Sequence, residues 1–392
     1  MKPVDFGRIS IFVLVDALGW ELAREHEFLS DLLRFRAPVD TVLGFSSAAI
    51  PTILSGQMPE VHGHWCLFRK ARGVSCFTWS VPLLLLPRRV RESRRTRAVV
   101  SWFTRRTYGI SGYFCLYEIP LSVLHRLDYV ERRDLWREGA LRPCPNIFDW
   151  LSSRSIPFHS SGWRGSDERR VEAAIDAVTR RPLEACFLYM CELDATLHTH
   201  GVRSVEAKQA VTAASVRIRK LLARAERLYS QVELFVFSDH GMTPVVASHD
   251  VQADLRERLL PKHGGLVFLD STMARFWARK VEKRSRIEEA LASLEYGRVL
   301  PEEEKSELGL DFGGREYGDV VFLMNPGHMI VPSFVGKTAP RAMHGFHPSD
   351  VWSRACFLSS GEVASPPRHI KDIFSVFRSQ LGLDREPGIV LR

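Results

Sequence analysis

Apolar residues form several continuous runs along the chain, separated by long stretches of mixed polarity. A run of apolar and β-branched residues without polar alternation is typical of a strand buried on both faces, as in the parallel sheets of α/β proteins. One shorter run, at 41–44, is predicted to be a strand that leads directly into a helix over 46–56. The predicted strands are 9–15, 41–44, 156–159, 185–191, 232–237 and 355–358.

Helical periodicity fills most of the intervals between these strands. Over 204–228, apolar residues recur in alternating steps of four and three, which indicates one long amphipathic helix. Ser166 precedes two acids and an apolar run, as a capping residue at the start of a helix does. The predicted helices are 20–34, 46–56, 147–153, 167–180, 204–228 and 369–381.

This alternation of strands and helices predicts an α/β fold with a doubly wound, mostly parallel central sheet and helices on both faces. Two stretches do not follow the alternation. We expect 66–141 to be a basic, aromatic insertion, helical in part, that lies over or beside the site. We expect 251–337 to be an inserted α+β cap with a helix at 280–294, a charged loop at 301–307 and a strand at 319–324. The whole chain, 1–392, is then one catalytic domain carrying two insertions.

Composition narrows the class of protein. The chain has 392 residues, of which 45% are hydrophobic, as expected for a globular protein with a sizeable core. Because the longest apolar run, at 81–87, is too short to cross a bilayer, no membrane span is expected. No signal peptide is recognised at the N-terminus. The 7 cysteines are scattered without CxxC spacing, which favours free thiols in a reducing compartment and hence a cytoplasmic protein.

The net charge of +8 is concentrated in one stretch. Residues 88–106 contain eight arginines and a single acid, Glu92. Such a stretch is either a solvated helix or loop, or a basic surface for an anionic substrate, nucleic acid or an acidic membrane. No nucleic-acid recognition motif accompanies it. Nucleic acid is therefore the less favoured partner, and a small phosphate-containing anion is the expected one.

Candidate metal ligands follow the predicted strands. Because the carboxyl ends of parallel strands meet at one edge of a sheet, polar residues placed there are expected to lie together. An Asp at a strand end is also a common helix cap, so each position alone is a weak signal. Together, carboxylates, imidazoles and a hydroxyl could hold two divalent ions, zinc or manganese, which would act on a phosphoryl group. The set is Asp16, Ser46, Asp194, His198, Asp239, His240 and His344.

In their order and spacing, these residues resemble the alkaline phosphatase superfamily, and specifically its type I phosphodiesterase/nucleotide pyrophosphatase family. Residues 55–63 (SGQMPEVHG) match the family's [Ser/Thr]-Gly-x-x-Pro-x-x-His-Gly motif, and Ser46 lies ten residues before Gly56, where the family has its nucleophile. Residues 194–201 match Asp-x-x-x-His-x-x-Gly, and 239–242 match Asp-His-Gly-Met. The family's last ligand is the His of a His-Gly pair before the final core strand, which selects His344 over His347.

The resemblance implies a role for each residue. Asp194, His198 and His344 would hold one metal ion. Asp16, Asp239, His240 and the Ser46 oxygen would hold the other. Ser46 would attack phosphorus, and water would hydrolyse the resulting phosphoseryl intermediate.

The sequence departs from the family directly after the nucleophile. The family's Thr-Phe-Pro-Asn is replaced by Ser46-Ser47-Ala48-Ala49, so the Asn that helps to bind phosphate is missing. The candidates to replace it are His64, Arg69 and Lys70, and Ser47 is the alternative nucleophile.

The sequence therefore predicts a two-metal hydrolase of phosphodiester or pyrophosphate bonds. A phosphomonoesterase, a phosphonate hydrolase or a phosphotransferase would use the same metal site. The non-enzymatic alternative is a protein that retains the fold and binds nucleic acid or an acidic partner through the basic surface at 88–106.

Overall fold

The computed structural model describes residues 5–256, 265–278 and 280–384. Parts of the predicted cap, at 257–264 and 279, lie outside these residues. The strands are β1 Arg8–Val15, β2 Phe35–Val39, β3 Phe68–Lys70, β4 Leu127–Tyr129, β5 Phe158–Ser160, β6 Ala185–Met190, β7 Gln231–Phe237, β8 Thr243–Pro244, β9 Ala247–His249, β10 Leu266–Leu269, β11 Met273–Trp277, β12 Gly297–Val299, β13 Val320–Met324, β14 His328–Ile330, β15 Ala342–Met343 and β16 Ala355–Ser359.

Helices lie in many of the intervals between these strands. Three short 3₁₀ segments cover Thr78–Leu85, Val351–Ser353 and Ile370–Asp372. The α-helices are α1 Trp20–Glu25, α2 Ser46–Ser55, α3 Pro59–His62, α4 Arg88–Arg91, α5 Arg94–Tyr108, α6 Leu121–Leu124, α7 Ile147–Ser153, α8 Asp167–Arg180, α9 Glu192–His200, α10 Val205–Ala225, α11 Val251–Arg256, α12 Val281–Ala292, α13 Glu302–Glu307 and α14 Ile373–Gln380.

A six-stranded sheet with the order β2-β16-β7-β1-β6-β5 forms the centre of the molecule. Strand β1 lies in the middle and pairs in parallel with β6 and β7, and β5 also pairs in parallel with β6. Strand β16 is antiparallel to both of its neighbours. This confirms the predicted α/β fold with a mostly parallel central sheet.

Alternation along β1 divides the core between the two faces of this sheet. Phe12 and Leu14 point to one face and pack with apolar residues of α2, α7 and α14. Ile11 and Val13 point to the other face and pack with α1, α8 and α10. The apolar stripe predicted over 204–228 is buried on this second face, and Ser204 caps α10 by accepting a hydrogen bond from the Ala207 N–H at 3.0 Å.

Three local predictions were wrong. The helix predicted over 20–34 ends at Glu25, because Glu27 and Leu29 have positive φ, a conformation that an α-helix cannot contain. The strand predicted over 41–44 lies instead at Phe35–Val39, where Pro38 is tolerated because β2 is at the edge of the sheet. The charged loop predicted over 301–307 contains α13, whose first turn holds three glutamates that favour a helix N-terminus.

The two predicted insertions meet each other. The 66–141 stretch contains the β3–β4 pair together with α4, α5 and α6. The 251–337 stretch contains a four-stranded antiparallel sheet with the order β10-β11-β13-β12. Phe68 and Tyr129 from the first stretch and Phe268 and Trp277 from the second belong to one apolar cluster. No described helix is long and apolar enough to cross a membrane.

Candidate active site

Three neighbouring strands bring the candidate metal ligands to one edge of the sheet. Asp16 directly follows β1, and Asp239 and His240 follow β7. Asp194 and His198 lie one turn apart on α9, which begins just after β6. Because β6, β1 and β7 are adjacent in the sheet, their carboxyl ends place these side chains together.

One group of possible ligands consists of Asp16, Asp239 and His240, all buried. The Nε2 atom of His240 lies 3.1 Å from Oδ2 of Asp239 and 3.6 Å from Oδ1 of Asp16. Nδ1 of His240 lies 2.9 Å from the Gly241 carbonyl oxygen, an arrangement that places the ring proton on Nδ1 and leaves Nε2 free for a metal ion.

The second group consists of Asp194, His198 and His344. Oδ1 of Asp194 lies 3.3 Å from Nε2 of His198 and 3.6 Å from Nε2 of His344. Nδ1 of His198 lies 2.9 Å from the Ala342 carbonyl oxygen, which orients its Nε2 in the same way. The two groups adjoin, since the rings of His240 and His344 stack with their centroids 3.9 Å apart.

Ser46 lies at the N-terminus of α2, and its Oγ is 3.0 Å from Nε2 of His240. The neighbouring hydroxyl of Ser47 donates to the Trp65 carbonyl oxygen at 3.1 Å and is therefore occupied by the main chain. The first N–H groups of a helix have no acceptor within the helix, so the start of α2 offers donors to an anion beside Ser46. The structure thus brings Ser46, rather than Ser47, to the two groups.

The electrostatics of the site favour a bound cation. Burial raises the pKa of Asp16 well above its usual value, and the nearby carboxylate of Asp239 raises it further. Burial opposes the charged form of His240, but Asp239 and Asp16 outweigh it and raise the pKa of His240 to about 10. These shifts arise because carboxylates are crowded in a buried space without a full counter-charge.

Several buried carboxylate oxygens in the two groups have no hydrogen-bond partner, and this indicates whether the groups suit metal ions. Asp16 Oδ1, Asp194 Oδ1 and Asp239 Oδ2 are buried and make no hydrogen bond. Such atoms are costly unless a cation or another donor compensates them. Carboxylate oxygens and imidazole nitrogens in two groups match the ligands preferred by zinc and manganese. The residues present therefore fit two divalent ions.

A cavity of about 570 Å³ opens beside the two groups. Its walls are mainly aromatic and aliphatic, and they come from the core, from both insertions and from the segment before β15. Among the described residues that line it, none is a lysine or an arginine. Its aromatic lining residues are Phe45, Phe68, Tyr113, Tyr117, Trp136, Trp163, Tyr189, Phe268 and Phe334.

Glu131 adds a carboxyl group to this cavity. One of its oxygens accepts the Tyr113 N–H at 3.0 Å, and burial raises the pKa of Glu131 to about 8. The hydroxyl of Tyr113 also lies 3.0 Å from that of Tyr117. The segment at 66–141 therefore supplies a small polar patch inside a mainly apolar wall.

The structure does not bring the predicted phosphate-binding residues into the cavity. His64, Arg69 and Lys70 are all missing from its lining. Strand alternation explains the position of Arg69, because Phe68 of β3 faces the cavity and the next residue along a strand points to the opposite side. His64 is half-buried, and desolvation lowers its pKa to about 4. His64, Arg69 and Lys70 thus lie outside the cavity lining, whereas the start of α2 presents backbone N–H groups beside Ser46.

Sequence reasoning missed two groups that the structure places at the site. The hydroxyl of Tyr189 donates to Oδ2 of Asp16 at 2.5 Å and fixes the orientation of that carboxylate. The sequence contains a feature that could have indicated Tyr189, because it is the one residue with a hydroxyl group in the apolar strand β6. Glu131 gave no comparable signal, because its position depends on how the insertion folds back over the sheet.

Comparison with known proteins identifies similar chains. A model of the type I phosphodiesterase/nucleotide pyrophosphatase family matches residues 10–350. No curated protein sequence gives a match. Among solved structures, murine ectonucleotide pyrophosphatase/phosphodiesterase 5 superposes with a TM-score of 0.67 at 16% identity, covering 97% of this chain and 96% of that one. The human counterpart gives 0.68 at 14% identity with the same coverage. An inactive variant of the murine protein in complex with AMP gives 0.67 at 16% identity.

Proposed function

Because this chain belongs to the type I phosphodiesterase/nucleotide pyrophosphatase family, whose members are hydrolases, we propose that it cleaves phosphodiester or pyrophosphate bonds through a phosphoseryl intermediate on Ser46. The observation that carries the proposal is the position of the Ser46 Oγ, 3.0 Å from His240 and next to two groups of possible metal ligands. A serine hydroxyl is a weak nucleophile unless a base or a metal ion activates it.

Asp194, His198 and His344 would hold one divalent ion, and Asp16, Asp239, His240 and Ser46 the other. Zinc is the proposed metal, and manganese accepts the same ligands. When bound, such ions lower the pKa of coordinated oxygens and stabilise charge on a phosphoryl group.

The protein's own residues would bind and orient the substrate. The N–H groups at the start of α2 would donate to a phosphate oxygen, the role for which the family's asparagine is missing here. Phe45 precedes Ser46 and packs edge-on against His344, with 5.6 Å between ring centroids, so it would help to fix that ligand. Oγ of Ser46 would then attack phosphorus while the bond to the leaving oxygen breaks. Water would hydrolyse the phosphoseryl ester.

The size of the cavity supports a substrate whose phosphoryl group carries a large organic substituent, and the choice of a diester or a pyrophosphate over a monoester rests on the family. A phosphate group with no substituent would leave most of its roughly 570 Å³ and its aromatic walls unused. The murine relative in complex with AMP suggests a nucleotide-like group as one occupant. Since no lysine or arginine is among the described lining residues, the group held there should be neutral or a hydrogen-bond donor.

A cytoplasmic location also belongs to this proposal. All seven cysteines are free thiols. Seven cysteines with no disulfide among them are typical of a protein in a reducing compartment.

The proposal is tested by metal analysis and by turnover of bis-p-nitrophenyl phosphate. We expect bound zinc or manganese in the wild-type protein, loss of turnover by at least about a thousandfold in Ser46→Ala, and a much smaller effect in Ser47→Ala. A metal-free protein that is active, or equal turnover in Ser46→Ala and the wild type, would refute it.

A further inference from the structure

The insertion at 66–141 exposes an unusual combination of apolar and basic side chains. Leu85 is 91% exposed, Trp102 is 66% exposed and Val99 is 59% exposed. Leu86, Val90 and Phe103, nearby in the same insertion, are also exposed. Large apolar side chains grouped in this way on a surface mark an interaction site more often than single exposed residues do. We use the name basic–apolar surface for these six residues together with the arginines of 88–106.

Helix α5 shows how the apolar side chains share one face. Exposed positions along it follow a helical period, with Arg95, Val99, Trp102 and Arg106 on the same side. The opposite side is packed, since Val100 and Thr104 are buried. The apolar residues therefore form a stripe flanked by arginines at both ends, as in helices that lie flat in a membrane interface.

The segment before α5 is attached to that helix. Thr96 donates to the Val90 carbonyl oxygen at 2.7 Å. The rings of Trp79 and Phe103 lie 4.2 Å apart, and the Trp79 N–H donates to Thr104 at 3.3 Å. Leu85 and Leu86 lie between Trp79 and α4. Because residues on both sides of them contact α5, the two leucines belong to the same folded unit as the exposed apolar face of α5.

Most of the arginines here lack a counter-charge. Glu92 is the only acid in the segment and pairs with Arg97 at 2.8 Å and with Arg91 at 3.6 Å. The remaining six arginines form no ion pair within the described part of the chain; they are Arg88, Arg89, Arg94, Arg95, Arg105 and Arg106. This surface therefore attracts anions.

The structure points to the surface of an anionic phospholipid bilayer as the partner of the basic–apolar surface. Headgroup phosphates would accept hydrogen bonds from the arginines, whose aliphatic stems lie along apolar surface while their charged ends stay at the headgroups. Leu85, Val99 and Trp102 would enter the boundary between headgroups and acyl chains, where tryptophan is favoured.

Other partners fit this surface less well. Nucleic acid would match the arginines, but its phosphate backbone offers nothing to cover Leu85 or Val99. A second copy of the chain would cover the apolar residues, but it would set one row of unpaired arginines against another. Of these three partners, the anionic bilayer is the one that offers both phosphates to the arginines and an apolar layer to Leu85 and Val99.

This inference does not depend on the proposed function, because none of these residues lines the catalytic cavity. It is tested by sedimentation of the full chain with vesicles of phosphatidylcholine, with and without phosphatidylserine. We expect binding only to the vesicles that contain phosphatidylserine, and weaker binding as salt is raised. Equal binding to both vesicles, or binding to neither, overturns the inference.

Matched variants separate the contribution of the arginines to vesicle binding from that of the apolar side chains. Both Arg88→Gln/Arg89→Gln and Leu85→Ser/Trp102→Ser should weaken binding to anionic vesicles by about tenfold or more. Val216→Ser/Arg227→Gln changes an exposed valine and an exposed arginine elsewhere and should bind like the wild type. Thermal unfolding and bis-p-nitrophenyl phosphate turnover should be unchanged in all three, so that loss of binding reports on the surface alone.

Trp102→Phe distinguishes insertion from adsorption by charge. This variant keeps an apolar side chain and should still bind, but quenching of tryptophan fluorescence by brominated lipid should fall below the wild-type value. Unchanged quenching overturns the insertion of Trp102.

Binding to an RNA oligonucleotide that requires the arginines but not Leu85 and Trp102 would assign the surface to nucleic acid. Self-association that the serine variants abolish would assign it to a second copy.

Discussion

Tyr189 links the buried strand β6 to the candidate metal site. Its hydroxyl holds Oδ2 of Asp16, so that Oδ1 remains unpartnered and available to a cation. Hydrogen bonds of this kind orient a ligand before the metal ion arrives. Tyr189 is therefore a positioning residue, and its contribution should appear in metal affinity.

We predict that Tyr189→Phe weakens zinc binding by about tenfold to a hundredfold. The loss arises because Asp16 keeps its charge but loses the partner that fixes its orientation. Competition with a fluorescent chelator measures it directly. In Tyr229→Phe, which removes a buried hydroxyl bonded to main-chain groups elsewhere, zinc affinity should not change. Equal zinc affinities in all three proteins would contradict the assignment.

Glu131 yields a prediction about stability and pH. Its pKa in the folded protein is raised to about 8, so between about pH 4.5 and pH 8 the folded state keeps a proton that the unfolded state has released. The free energy of unfolding should therefore fall as pH rises through this window and level off above it. Glu131→Gln removes this dependence and should be more stable than the wild type by about 2–4 kcal/mol at pH 8.5.

Chemical denaturation at pH 4.5 and pH 8.5 provides the check. The difference between Glu131→Gln and the wild type should nearly vanish at the lower pH. The exposed Glu226→Gln should follow the wild type at both values. A Glu131→Gln variant that is less stable than the wild type at pH 8.5 would show that the ionised carboxylate is the favoured form.

At the scale of single residues, the sequence predicted which Asp and His residues gather at one edge of the sheet, but it did not predict the lining of the cavity. Asp16, Asp194 and Asp239 could be placed because each closes an apolar strand or begins the following helix. Glu131, Tyr113 and Trp163 could not be placed, because nothing in their local sequence states which surface they will cover. Arg69 and Lys70 were assigned by their charge, and their absence from the cavity lining could not be predicted because the local sequence does not give the strand register.

At the scale of elements, patterns with a strong period were predicted correctly and short or irregular ones were not. Helix α10 and the strands β1, β6 and β7 have long, regular apolar patterns. The edge strand β2 lacked such a pattern and contains Pro38, so it was missed. Helix α13 has only six residues and no apolar stripe, and it is defined instead by its acidic first turn and its contacts.

A substitution at Gly345 would test how tightly the elements around the site are packed. Its φ is +89°, and an added Cβ would lie 2.7 Å from the ring of Phe45 and 3.0 Å from Oγ1 of Thr272. We predict that Gly345→Ala destabilises the protein by about 1–3 kcal/mol and lowers turnover by about tenfold, because it displaces both His344 and the residue before Ser46. Thermal unfolding and steady-state kinetics measure the two effects.

Gly361→Ala is the matched control, since a Cβ there would meet nothing within 4 Å. It should leave both stability and turnover near the wild-type values. A Gly345→Ala protein that behaves in the same way would show that the loop carrying His344 can shift without affecting the site.

At the scale of the whole molecule, the site connects parts that are distant in the sequence. Residues from β1, α2, α9, the end of β7 and the loop before β16 converge on it, and both insertions complete its cavity. Metal ions would therefore bind only the folded chain, and their binding would stabilise the molecule as a unit. The sequence predicted this convergence through strand order, but it did not predict how the two insertions meet.

We predict that removing metal with a chelator lowers the midpoint of thermal unfolding by several degrees and that zinc restores it. Ligand at about a hundredfold excess over its dissociation constant contributes about 2.7 kcal/mol to stability, and without it the buried carboxylates repel one another. In Asp194→Asn/His198→Asn the shift between chelated and zinc-loaded protein should be much smaller. Identical unfolding curves with chelator and with zinc would show that the site is not a metal site.

The central claim is that Ser46 becomes transiently phosphorylated. The stereochemical course at phosphorus tests it most directly, because a covalent intermediate requires two displacements and direct attack by water requires one. We predict that a chiral phosphorothioate diester is hydrolysed with retention of configuration by the wild-type enzyme, and that Ser46→Ala does not turn it over. Inversion of configuration, or turnover by Ser46→Ala at the wild-type rate, would contradict the account.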